Sequence, residues 1–212
     1  MAYTVGSEDF ALLETMRGHV GRIERLSRHL KRMEASAAHF GFEFPGASID
    51  RMLMGVASLH AEPVVLRLLL ERNGFASVEV RELPPRGGIQ RLRLAARPVD
   101  STNPFLYHKT TERQVYQEAR AGLPPEEDAL LYNERGEVTE ATIANIAVER
   151  GGRWITPPVP CGLLAGVMRA ELLERGEIAE GVIRVEDLRP GEPLLYFNSV
   201  RGCLRVQLAP SS

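Results

Sequence analysis

The chain has 212 residues, 44% of them hydrophobic, and a formal net charge of -2. That length sustains one large domain or two small ones around real cores, and the interspersed charge excludes the basic surface a nucleic-acid binder needs. Apolar runs stop short of membrane-spanning length, no basic-then-apolar leader opens the chain, and the two cysteines, Cys161 and Cys203, suit neither a disulfide framework nor a metal site, so a soluble cytoplasmic globular protein is expected.

In chain order, Ser27 is expected to cap a helix whose apolar positions Leu30, Met33, Ala37 and Phe40 recur at helical spacing until Gly41. A second helix fits Ser48–His60, with Ile49, Leu53, Val56 and Ala57 inward. The period then changes. VVLRLLLERNGFASVEVREL holds two β-rich runs around Asn73-Gly74, a strong hairpin signal. PPRGG at Pro84–Gly88 reads as a turn, Gln90–Arg97 as a third strand, and ARPVDSTNP at Ala96–Pro104 as a connector between lobes. A helix is expected over Thr111–Ala121, then strands at Ala129–Asn133 and Thr142–Val148 around the turn Glu134-Arg135-Gly136. Trp154 falls on a short strand, and Gly162–Arg175 contains the last helix. The tail returns to strands at Val182–Val185, Leu194–Phe197 and Leu204–Leu208. The expectation is a small α/β lobe, 1–98, joined to a larger β-rich lobe, 99–212.

No dinucleotide loop, phosphate-binding Gly-Lys-Ser/Thr, HExxH or Gly-x-Ser-x-Gly element is present, and the five histidines are scattered. Lys109, in FLYHKTTERQVY, sits where an apolar run meets a helix start. A lysine in a cleft with a lowered pKa attacks carbonyls; the plainer reading is a cation near a helix terminus. Glu140, in GEVTEATIAN, precedes an apolar strand. Buried, it needs a cationic or protonated partner; a turn-flanking surface glutamate is the ordinary alternative. Arg32 is one of several arginines on the first helix, and one facing inward holds a phosphate bidentately. GLLAGVMR places glycines just before a helix, where free backbone N–H groups meet an anion. Asn198-Ser199 offers an amide and a hydroxyl at a strand end, and equally makes a simple turn.

Taken in order, FALLETMR, LSRHLKRMEASA, LYHKTTERQVY, GEVTEATIAN, GLLAGVMR and YFNSVRG run from Phe10 to Gly202 and resemble the class IV aminotransferase family, the pyridoxal-phosphate (PLP) enzymes of fold type IV. The resemblance implies a two-lobed α/β (α+β) fold like the D-amino-acid aminotransferases, with a small N-terminal lobe and a β-rich pseudo-barrel. It leans toward the 4-amino-4-deoxychorismate lyases, especially the lyase-like domain fused behind aminodeoxychorismate synthase component I. By that resemblance Lys109 is the Schiff-base lysine and Glu140 the partner of the pyridine nitrogen. Arg32 binds the phosphate, Val167 and Met168 form its backbone cup, and Ser199 adds a contact. Asn145 gives structural support.

The resemblance also implies a homodimer, a small-molecule substrate and a possible synthase partner. Substrate contacts are expected at Arg97, Thr142 and Arg201. Two departures stand out. The chain begins almost at FALLETMR, so the small lobe is expected to be trimmed. The position five residues after the lysine, a tyrosine in branched-chain aminotransferases, is Gln114, with Tyr116 nearby. The implied reaction is conversion of 4-amino-4-deoxychorismate to 4-aminobenzoate and pyruvate. The alternatives are an aminotransferase for D-amino or other small amino acids and a non-catalytic relative of the same fold.

Overall fold

The computed structural model describes residues 10–85 and 88–210. The described residues form two compact units: 10–84 with 108–112, and 85 and 88–107 with 113–210. This departs from the expected division at 98, and the reason lies in strand pairing. The strand expected over Gln90–Arg97 is β5 (Arg91–Leu94), and it pairs with strands of the second unit, not with the hairpin before it. Of the PPRGG turn, Arg86 and Gly87 lie outside the described residues.

The first unit is a four-stranded antiparallel sheet in the order β2-β1-β3-β4, made of β1 (Leu12–His19), β2 (Arg22–Ile23), β3 (Val64–Leu70) and β4 (Ala76–Arg81). Helices α1 (Leu26–Phe40) and α2 (Gly46–Ser58) accompany it. Ile49, Leu53 and Ala57 of α2 are buried as their spacing requires, and so are Met33 and Ala37 of α1. Ser27 does not cap α1. That place belongs to Arg25, in the left-handed conformation at φ 58°, while Gly41 closes the helix at φ 70° with its N–H on the Ala37 carbonyl. The hairpin turns at Asn73-Gly74 as expected. Gly74 takes φ 80°, and the Asn73 side chain accepts from the Phe75 N–H. β1 escapes a polarity reading because its inward row is Leu12, Glu14 and Met16, each at most 1% exposed. A charged residue in the middle of that row hides the alternation.

The second unit holds an eight-stranded sheet in the order β10-β9-β8-β11-β12-β5-β6-β7. Its remaining strands are β6 (Glu127–Tyr132), β7 (Val138–Ala141), β8 (Asn145–Arg150), β9 (Arg153–Thr156), β10 (Ile178–Glu180), β11 (Pro193–Asn198) and β12 (Gly202–Leu208). The sheet curls into a half-barrel, so that β7 at its end turns directly into β8. Leu92, Leu130, Val138, Ile146, Val148, Leu194 and Val206 fill its interior. Helix α3 (Gln114–Arg120) buries Tyr116 in a cluster with Ala95, Val99, Leu106 and Leu131. Helix α4 (Val167–Glu174) buries Leu172 against Ala147, Ile178 and Phe197.

Several boundaries differ from expectation. Residues 142–144 form the bend between β7 and β8, so the strand expected from Thr142 starts at Asn145. Helix α3 starts at Gln114, not Thr111. The strand expected over Val182–Val185 is replaced by a single bridge, Glu137 to Arg184, and a 3-10 turn at Val185–Asp187, while β10 forms upstream and pairs in parallel with β9. Among the described residues no helix is long and apolar enough to cross a membrane.

Candidate active site

In the first unit the chemistry gathers on β1, α1 and the short segment 108–112. The backbone pins that segment to the start of β1. Leu13 N–H donates to the Lys109 carbonyl (2.9 Å), and Thr111 N–H donates to the Ala11 carbonyl (2.9 Å). Lys109 is half-buried there, whereas the chain's other lysine, Lys31, is exposed on α1. Glu14 is the centre of a buried charge cluster. Its carboxylate accepts from Arg32 Nε and Nη2, both at 2.7 Å, and from His29 Nδ1 at 2.6 Å. Burial alone would raise the Glu14 pKa. The charge of Arg32 and the bonds from His29 and Arg32 overcome this and hold it down to about 2. Burial lowers the His29 pKa, with the Arg32 and Lys109 charges adding to that and Glu14 opposing it. A neutral His29 therefore donates through Nδ1 to an ionised Glu14. Next to Lys109, His108 Nδ1 lies 2.9 Å from Ser36 Oγ, and its ring stacks on His39. Burial, then the His39 charge, depress the His108 pKa to about 4.

In the second unit the centre is Glu140 on β7, 5% exposed. Its carboxylate accepts from the Tyr116 hydroxyl (2.8 Å), the Leu164 N–H (3.2 Å) and Asn145 Nδ2 (3.1 Å). Asn145 Nδ2 also donates to the Leu164 carbonyl (2.9 Å), tying the carboxylate to the loop that leads into α4. That loop ends at Gly166, the N-cap of α4, where a Cβ would stand 1.9 Å from Asn145 Oδ1. No side chain caps α4, so the first-turn amides of Val167 and Met168 keep their polarity for an anion. Ser199 lies half-buried in the turn after β11, which Asn198 Oδ1 holds by accepting from the amides of Val200 (3.0 Å) and Arg201 (2.8 Å).

The expected substrate contacts are less alike than the sequence suggests. Arg97 is exposed in the connector and Arg201 half-buried in the 198–201 turn. Thr142 is 3% exposed; its hydroxyl donates to Asp128 and its carbonyl accepts from Arg113. Asp128 is fully buried on β6 and also accepts from the Tyr196 hydroxyl (3.0 Å). Glu14, Tyr116 and Asp128 are structural partners that sequence reasoning did not single out. Glu14 had a signal, its place within FALLETMR. Tyr116 had one only through its helical spacing from Arg113.

Each unit holds groups of a kind that suits part of pyridoxal phosphate. A buried carboxylate that accepts from Tyr116, Asn145 and the Leu164 N–H suits a protonated ring nitrogen. A guanidinium and an uncapped helix start suit a phosphate. A half-buried lysine suits an aldehyde. Among the described residues no group of three or more metal-ligating side chains occurs.

Comparison with known proteins gives the same direction. The family described as Amino-transferase class IV matches residues 11–209. A Schizosaccharomyces pombe protein named "Putative aminodeoxychorismate lyase" is 36% identical over 190 residues, which is 85% of this chain and 82% of that protein. A crystal structure from Mesorhizobium loti named "Putative amino-acid aminotransferase" superposes with a TM-score of 0.87 at 38% identity, covering 95% of this chain and 100% of the other. The 4-amino-4-deoxychorismate lyase of Pseudomonas aeruginosa shares the fold, with a TM-score of 0.78 at 22% identity over 95% of this chain and 83% of its own.

Proposed function

Because the chain belongs to the class IV aminotransferase family, we propose that it is a PLP enzyme converting 4-amino-4-deoxychorismate to 4-aminobenzoate and pyruvate. The observation that carries the reaction is the likeness to the S. pombe protein across most of both chains. Bound PLP supplies an aldehyde that takes up the substrate amine and a ring that withdraws electrons from the carbon bearing it.

The protein's own residues divide the remaining work. Lys109 would hold the cofactor aldehyde, and its Nζ would take the proton from the amine-bearing ring carbon of the substrate. Glu140 would pair with the pyridine nitrogen and favour its protonated form. Arg32, the amides of Val167 and Met168, and Ser199 hold the phosphate. Arg97, Thr142 and Arg201 are the contacts assigned to substrate, the two arginines to its carboxylates. Loss of the ring proton and of the enolpyruvyl ether leaves an aromatic ring, which drives the step; the departing group gains a proton and leaves as pyruvate. The proposal includes a cytoplasmic homodimer and a synthase that supplies the substrate.

The Mesorhizobium loti structure, whose whole length this chain covers, favours a second reading as an aminotransferase for D-amino or other small amino acids. Product analysis separates the two. Supplied with aminodeoxychorismate and no keto acid, the lyase gives 4-aminobenzoate, followed by fluorescence, and an equal amount of pyruvate. Turnover of simple amino acids that depends on a keto acid, with no 4-aminobenzoate above the uncatalysed rate, moves the chain to the aminotransferases.

A further inference from the structure

Helix α3 is short, yet two residues at its start reach the same stretch of chain. Arg113 and Tyr116 are three apart and so share a face. Arg113 Nη2 donates to the Thr142 carbonyl, and its guanidinium lies over the Tyr116 ring, 4.5 Å from the centroid. The Tyr116 hydroxyl donates to Glu140 Oε1 at 2.8 Å. The segment Glu140-Ala141-Thr142, which ends β7 and opens the bend after it, is thus held from the start of α3 at both of its polar ends. Thr142 is held again from the other side, where its hydroxyl meets the buried Asp128.

We propose that Tyr116 is the positioning residue of Glu140: its hydroxyl fixes the rotamer of the carboxylate and sets how strongly that carboxylate binds a proton. The proposal rests on Glu140 being the partner of the cofactor ring nitrogen. Three features support it. The phenol is a dedicated donor here, because burial and then the Glu140 charge push its pKa far above the ordinary value. The ring is fixed in a packed cluster with Val99, Leu106 and Leu131, so the hydroxyl cannot swing away. The carboxylate is almost fully buried, so a lost donor is not readily replaced by bulk water.

The chemical consequence concerns one proton. A carboxylate that accepts from the phenol, the Leu164 N–H and Asn145 favours its anionic form, which would suit a protonated ring nitrogen. With the phenol removed the carboxylate would become the better base and would compete for that proton.

The test uses the isosteric Tyr116→Phe variant of the full chain, labelled with 13C at the glutamate carboxyl carbons; Glu140→Gln identifies the resonance. In cofactor-free protein, the Glu140 titration midpoint is expected to rise by about one pH unit in Tyr116→Phe, the scale of one hydrogen bond to a charged group. Arg113→Met, which removes the cation over the ring and the tie to Thr142, is expected to raise it less, and serves if Tyr116→Phe does not fold. In protein loaded with ring-15N PLP, the nitrogen resonance of Tyr116→Phe is expected to move toward that of neutral pyridine. A Glu140 midpoint that stays put in both variants, even with a lowered melting temperature, overturns the proposal and leaves Tyr116 a packing residue. A midpoint that rises in protein that does not take up PLP upholds the link between Tyr116 and Glu140 and sinks the cofactor reading instead.

Discussion

Replacing Glu14 by glutamine removes one charge from the most buried ionic cluster in the first unit. The Glu14 carboxylate is 1% exposed and meets Arg32 through two bonds of 2.7 Å. Its pKa falls from 4.5 to about 2 on folding. A group depressed in the folded state stabilises it fully above pH 4.5 and loses that contribution as pH falls toward 2. The drop corresponds to about 3 kcal/mol. Breaking a fully buried pair costs on the order of 3–5 kcal/mol. The Arg32 side chain is 14% exposed, so water takes part and the lower end applies, again about 3 kcal/mol.

Urea unfolding of wild type and Glu14→Gln, followed by far-UV circular dichroism between pH 7 and pH 3, measures this. Hydrogen exchange of the β1 amides localises the loss. Trp154, the chain's one tryptophan, lies in the second unit and does not report on it. His29 also weakens the fold as pH falls below 6.5, and more so in Glu14→Gln, because Glu14 opposes the lowering of the His29 pKa. The difference between the two curves therefore reports Glu14 together with its partner His29. It should be about 3 kcal/mol at pH 7 and shrink as pH drops through 4.5. A difference below about 1 kcal/mol at pH 7, or one that is the same at pH 3, refutes the argument.

Borohydride reduction of the PLP-loaded protein and peptide mapping should place the pyridoxyl mass on Lys109; with two lysines in the chain, a label on Lys31 defeats the assignment. Gly166→Ala should cost about 2 kcal/mol or more by thermal unfolding, since its Cβ would lie 1.9 Å from Asn145 Oδ1; a melting temperature equal to wild type shows that the loop has room to move. Arg32→Ala should raise the cofactor Kd and also lower the melting temperature, because it takes two hydrogen bonds from the buried Glu14, whereas Glu140→Ala should mainly lower kcat; equal effects of the two variants on Kd and kcat mean that the division of roles is wrong.

What the sequence reveals here is what is local. Asn73-Gly74 announces its hairpin because the turn geometry needs only those residues. Met33, Ala37, Ile49 and Leu53 announce helix faces because the helical period brings them together. β1 is hidden because Glu14 occupies an inward position, which is affordable only with Arg32 and His29 arriving from another element. β5 reads as a strand, but its partners, β6 and β12, follow it in the chain, and no local pattern says which sheet a strand joins. The site divides the same way. Glu140 and Arg32 stood out by motif. The bond from Tyr116 spans 24 residues, and only the packing of α3 on the sheet reveals it.

The excursion of residues 108–112 into the first unit has a consequence for how the protein is made. The start of β1 finds its partners there: Ala11 N–H donates to Thr111 Oγ1 (2.9 Å), and Leu13 N–H to the Lys109 carbonyl. During synthesis the ribosome must deliver residues 85–107, which belong to the other unit, before the first unit has all of its chain. A gene cut after Pro84 would encode a fragment lacking the Lys109 segment, and supplying the rest as a separate chain would turn that closure into a bimolecular event. The two units are thus one heritable piece: a crossover between them would have to exchange two separate stretches of gene at once.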